Sequence, residues 1–112
     1  HIDMTAKKIA EKLGLTPVSV ADDAREVQGG YAGDLLSWVM GRVPEGAAWV
    51  TIMTNVNVVA VAVLRDVAMV IVAEGSEIPA DVIERAREQE VNLYSAAADV
   101  YTVCAALSRL LE

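Results

Sequence analysis

Asn55-Val-Asn-Val-Val-Ala-Val-Ala-Val-Leu64 is followed by Arg65-Asp66 and then by Val67-Ala-Met-Val-Ile-Val-Ala73. The apolar run from Val56 to Ala73 approaches the length of a membrane span. Arg65 and Asp66 interrupt it near its middle, where each charge costs roughly 2.5–3.5 kcal/mol on insertion scales. The run therefore reads as two buried elements of a soluble domain with a turn between them. Val67–Ala73 is apolar throughout, the mark of a central strand covered on both faces. The Asn55–Leu64 piece admits two readings. It can pair with Val67–Ala73 as a hairpin, although Arg65-Asp66 is poorly suited to the positive φ of tight hairpins. A helix capped by Asn55 also fits and creates a strand–helix–strand crossover. The helix is preferred, because the run is long for a strand.

Outward from this centre the punctuation is regular. On the N-terminal side, Thr5 can cap a helix through Leu13 that Gly14 ends. Thr16–Val20 reads as a short strand, and Pro17 places it at an edge or at a strand start. Ala21–Ala24 is an acidic turn, and Arg25–Gln28 reads as extended. Asp34 can cap a helix starting at Leu35, with Leu35, Leu36, Val39 and Met40 as its apolar stripe and Gly41 as its stop. Pro44-Glu-Gly46 is a turn, and Ala48–Met53 is a strand. On the C-terminal side, Glu74-Gly75-Ser76 turns. Pro79 or Ala80 opens a helix to Glu90, with Val82, Ile83 and Ala86 inward. Val91–Tyr94 is a short strand, and Asp99 caps a last helix ending near Leu111. Strands alternate with helices, so the expected fold is a three-layer α/β/α domain with a mostly parallel sheet of about five strands.

The chain has 112 residues, enough for one domain over residues 5–112, and 54% of them are hydrophobic. His1-Ile-Asp-Met4 reads as a cloning remnant. The N-terminus has no apolar signal segment, so the expected location is cytoplasmic. Net charge is −7, which repels phosphate backbones and anionic membrane surfaces; neither nucleic acid nor membrane is an expected partner. The single cysteine, Cys104, lies in an apolar run and reads as a small buried hydrophobe, since no basic neighbour is visible to activate it.

No GxxxxGK[ST] or GxGxxG loop is present, and no Cys/His cluster or Ser–His pairing. The expectation is a domain with no catalytic residues, no metal and no cofactor. Ligands of parallel sheets sit at the carboxyl ends of the strands. The polar and glycine residues expected there are Gly30, Gly33, Asp34, Thr54, Asn57, Gly75 and Ser95. Gly29-Gly30-Tyr31-Ala-Gly33-Asp34 is the most particular segment. It suits either a tight turn with an N-cap or a backbone cradle for an anion, with Asp34 competing for the positive helix end; the turn is preferred. Asn57 is singled out because it falls within an apolar stretch and needs partners if buried. Trp38, Trp49, Tyr94 and Tyr101 are read as core or interface.

The order of four segments resembles the DRTGG domain family. They are Gln28-Gly-Gly-Tyr-Ala-Gly-Asp-Leu-Leu-Ser37; Trp49-Val-Thr-Ile-Met-Thr-Asn-Val-Asn-Val-Val-Ala-Val-Ala62; Val70-Ile-Val-Ala-Glu-Gly75; and Asn92-Leu-Tyr-Ser95 with Asp99-Val-Tyr. The resemblance spans residues 5–111. The five-letter signature itself does not occur, and Ala73-Glu74-Gly75 stands where a Thr-Gly-Gly-like turn is expected. The resemblance implies a fold like the N-terminal domain of HPr kinase/phosphorylase and an accessory role. Such domains accompany CBS-domain pairs and some phosphotransacetylases, and free-standing versions look like companions of redox or signalling proteins. It carries over no catalytic residues; Gly30, Gly33, Asp34 and Asn57 match its recurring positions. The function expected is a regulatory module acting through protein contact as a homodimer, through the helices carrying Trp38 and Met40 or Leu107 and Leu110. The alternative is a sensor of a nucleotide or phosphorylated metabolite at the strand ends.

Overall fold

A computed structural model describes residues 3–112. His1 and Ile2, half of the segment read as a cloning remnant, lie outside the described residues. Met4 belongs to the folded unit: it packs against the core, and its carbonyl accepts from the Val27 amide.

The elements in chain order are α1 (Ala6–Leu13), β1 (Thr16–Ser19), β2 (Gly29–Ala32), α2 (Leu36–Arg42), β3 (Ala47–Thr51), α3 (Val56–Leu64), β4 (Met69–Val72), α4 (Ala80–Glu88), β5 (Leu93–Ser95) and α5 (Val100–Leu110). The five strands form one sheet in the order β1-β5-β4-β3-β2. Strands β2 to β5 are parallel, and β1 is antiparallel to β5. This is the three-layer α/β/α arrangement expected.

The alternation of strand side chains divides the core into two. Ala48, Val50, Met69, Ile71 and Tyr94 face a layer made by α1 and α5. Ala47, Trp49, Val70, Val72 and Leu93 face a layer made by α2, α3 and α4. All four residues of β4 are buried, as a central strand requires.

Asn55–Leu64 resolves as a helix. Asn55 caps it by accepting the Asn57 amide at 2.9 Å. Its mixture of buried and exposed valines has no polar face because α2 and α4 flank it. Asp66 then adopts a left-handed φ of 52°, which the sequence reading counted against these residues. Arg25 holds it there, with one guanidinium nitrogen 2.7 Å from the carboxylate and the other 3.0 Å from the Asp66 carbonyl.

Four local expectations need correction. Gly29–Ala32 is a strand, not a tight turn, and it pairs with Ala47–Val50 in register. The extended segment expected at Arg25–Gln28 keeps only a bridge between Glu26 and Thr5. Glycine disfavours strands, but an edge position beside a fully buried β3 overrides that preference. Asp34 does not cap α2: the cap position is Leu35, with no side-chain hydrogen bond. Gly41 does not stop α2, which runs to Arg42 and ends at Val43, ahead of Pro44.

Candidate functional site

The parallel strands bring six of the seven predicted residues to one rim of the sheet. Ala32 pairs with Val50, Thr51 with Val72, and Val72 with Ser95. Gly33, Asp34, Thr54, Asn57, Gly75 and Ser95 therefore follow the strand ends along a rim of about 14 Å, at ~4.8 Å per strand. Gly30 lies apart, within β2. A side-chain carbon built on it would stand 3.1 Å from Leu107, so α5 packs directly against the β2 backbone there.

Most polar groups of this rim already have partners. The Asp34 carboxylate accepts from the Thr51 hydroxyl at 2.8 Å and from the Ile52 amide at 2.9 Å. It ties the end of β2 to the end of β3 and satisfies an amide beyond the strand. The Gly33 carbonyl accepts from the buried Trp49 indole at 2.9 Å. Gly33 also tolerates no side chain without crowding Tyr31 and Val39, each 3.2 Å from such an atom. Asn57 is exposed, so the condition under which it would need partners does not arise. It sits at the second position of α3, on the solvent side. Thr54 and Ser95 are half-buried, and Gly75 is exposed.

The helices following β4 and β5 leave on opposite faces, and such a divergence opens a crevice in parallel sheets. Here the chain closes it. The Glu74 amide donates to the Ala98 carbonyl at 2.8 Å, and the Gly75 amide to the Ala96 carbonyl at 2.9 Å. The Glu74 carboxylate accepts the Val100 amide at 2.9 Å, and Asp99 accepts that of Thr102. Hydrogen bonds from Thr102 hold the Asp99 carboxyl below its ordinary range. Two carboxylates thus occupy the positive end of α5, where an anionic ligand would compete with them.

Two surface features lie away from the strand-end rim. Leu35 and Trp38 are 66% and 54% exposed on one flank of α2, and Arg42 stacks 3.7 Å over the Trp38 ring. Ile52, 42% exposed, has its amide tied to the carboxylate of Asp34, the residue before Leu35. The sequence points to the helix carrying Trp38 and Met40 as a contact surface, but it places Leu35 in the apolar stripe with Leu36, Val39 and Met40, whereas the structure leaves Leu35 exposed. On the opposite layer, a trough of ≈ 530 Å³ runs between β2 and the second half of α5. Gln28 to Ala32 line one side, and Cys104, Leu107 and Ser108 the other. Burial pushes the Cys104 thiol above its ordinary value, away from nucleophilic reactivity. Leu107 is buried in the core, so it cannot supply the helix contact expected of it. Among the described residues no group of three or more His, Cys, Asp or Glu side chains is placed to hold a metal. No helix among them is long and apolar enough to cross a membrane.

No protein-family model matches the chain, and no curated protein does. Among solved structures, it is similar to the crystal structure of the CBS and DRTGG domains of the regulatory region of Clostridium perfringens pyrophosphatase, complexed with the activator diadenosine tetraphosphate. The TM-score is 0.70 over 96% of this chain, at 16% identity. The chain therefore shares the fold of part of that CBS and DRTGG region. The match covers 45% of the pyrophosphatase chain, so this domain spans less than half of that regulatory region.

Proposed function

We propose that this chain is a regulatory domain without catalysis of its own, which works by contact with a second copy of itself. The carrying observation is the exposed flank of α2. Leu35, Trp38 and Ile52 are exposed apolar side chains in this region, and Arg42 stacks on the indole and holds it. Tryptophan and arginine are the residue types that dominate binding energy at protein contacts. Around them the rim carries paired carboxylates and caps, which stabilise structure but offer no proton shuttle. The regulatory part of the reading is supported by the fold's likeness to a pyrophosphatase regulatory region. Sedimentation equilibrium tests it. The wild-type chain is expected to dimerise, and Trp38→Ser is expected to weaken the dimer at least ~10-fold, as removal of a contact anchor does. A strict monomer at high concentration sinks the self-contact.

A second reading is favoured by one observation: the structural neighbour was crystallised with a nucleotide activator. On this reading the chain senses a nucleotide or phosphorylated metabolite at the strand ends, through Thr54, Asn57, Gly75 and Ser95. The Glu74 and Asp99 carboxylates at α5 keep any phosphate on the β2–β3 side, by Thr54 and Asn57, and leave Gly75 and Ser95 to the uncharged part of the ligand. A thermal-shift series with nucleotides and sugar phosphates decides it. A ligand at 100 times its Kd adds about 2.7 kcal/mol of stability. No shift with any of them leaves the contact reading alone.

A further inference from the structure

The two edges of this sheet are built differently. The β1 edge carries Pro17, and its register slips between Pro17 and Ser19. Proline and irregular register are the ordinary ways of stopping an edge strand from pairing with another chain. The β2 edge has neither. Its register against β3 is unbroken from Gly29 to Ala32. From Val27 to Gly33 there is no proline and no charged residue. Half of the backbone N–H and C=O groups of such a strand point outward with no sheet partner.

This bare edge borders the trough beside α5. The trough exists because the side chains that β2 would place over the sheet are missing or small: Gly30 meets Leu107 directly, and Ala32 shares its face. Among the described residues no further helix of the α1–α5 layer covers the strip beyond β2. The lining includes no lysine or arginine; its only charged residue is Glu112, on a chain with net charge −7.

We infer that β2 is a docking edge for an extended, neutral-to-basic peptide segment of a partner protein. The segment adds a strand to the sheet and lays an apolar side chain in the trough between Gly30 and Ser108. Backbone pairing supplies the attachment, and the alternate side chains that fall into the trough supply the selection. A basic segment matches the charge of the chain. A second copy pairing edge to edge would bring two Glu112 carboxylates together at this edge, so the local charge favours the peptide. This edge lies against the α5 layer, whereas Trp38 lies on the opposite layer, so the two contacts can fail separately.

The test uses the full chain and a random heptapeptide library displayed on phage. Enriched peptides are expected to alternate apolar residues, to carry lysine or arginine, and to lack proline at the centre. Synthesised, they should slow hydrogen exchange of the amides between residues 29 and 32. Ala32→Lys, which puts a charged gatekeeper on the edge, should weaken binding at least ~10-fold. Ser108→Trp, which fills the trough from α5 and adds no charge to the strand, should do the same. Trp38→Ser should leave peptide binding unchanged. The inference is overturned if no peptide is enriched, if the winners are acidic, or if protection falls outside residues 29–32. It is also overturned if those amides are already protected in the free chain by self-association.

Discussion

Asn92 shows how one polar residue can hold two parts of the chain together. It is 6% exposed, and its side chain has four partners. The amide donates to the Asp22 and Ala68 carbonyls at 2.7 and 2.9 Å, and its oxygen accepts the Ala21 and Asp22 amides at 2.9 Å each. A buried polar group is neutral only while fully paired. Asn92→Ala is therefore expected to cost about 2–3 kcal/mol in urea unfolding, because it strands backbone groups of the Ala21–Asp22 turn. Asp66 makes a pH-dependent contribution. The hydrogen bond from Arg25 lowers its carboxyl below 3.8 in the folded state. The unfolded chain therefore binds more protons between the two values, and stability is lost as pH falls through the folded value. The stabilisation is fully present above the unfolded value. Both side chains are partly exposed, which limits the pair to about 0.2–1 kcal/mol. Asp66→Asn should flatten that part of the acid-unfolding curve and leave the neutral-pH curve lowered by the same small amount.

Among the elements, α2 is the least regular. It has no side-chain cap, and Gly41 lies inside it. A methyl group at position 41 would meet nothing within 4 Å. Gly41→Ala is thus expected to raise stability by about 0.5–1 kcal/mol, the usual gain for replacing an interior helical glycine. The measurement is the midpoint of chemical denaturation at unchanged slope. A loss of stability would mean that the α2 backbone near Arg42 needs glycine. Helices α1, α3 and α5, by contrast, have the caps read from the sequence: Thr5, Asn55 and Asp99 each accept a first-turn amide. Capping is a local interaction within three residues, which is why it was legible there. At Asp34 a long-range competitor, the Thr51–Ile52 pair, took the same carboxylate.

For the whole molecule, the sheet sets a gradient of protection. β4 and β3 are covered on both faces and paired on both sides, while β2 has one neighbour. Hydrogen exchange is expected to be slowest at Trp49, Val50, Val70 and Ile71, and markedly faster from Gly29 to Ala32. Equal protection across the sheet in the free monomer would contradict an open β2 edge. The same ordering separates the stable centre from the surfaces offered for contact. The α2 flank and the β2 edge both belong to the end of the sheet where β2 lies, one on each face.

Composition and periodicity were enough for the three layers, the central place of Val67–Ala73, the strand at Thr16–Ser19 and most helix limits. These follow from local preferences and from the length of apolar runs, which any single segment carries within it. The strand at Gly29–Ala32 was hidden, because two glycines have no strand preference of their own and acquire one only beside Ala47–Val50. The candidate site divided in the same way. Parallel strands predictably delivered Gly33, Asp34, Thr54, Asn57, Gly75 and Ser95 to one rim. Folding then determined which of these groups were free, since Glu74 meeting Ala98, Asp34 meeting Thr51 and Trp38 left uncovered all depend on residues distant in the chain. Hydrogen-bond partners and exposure are properties of neighbours in space, and a linear order of residues does not contain them.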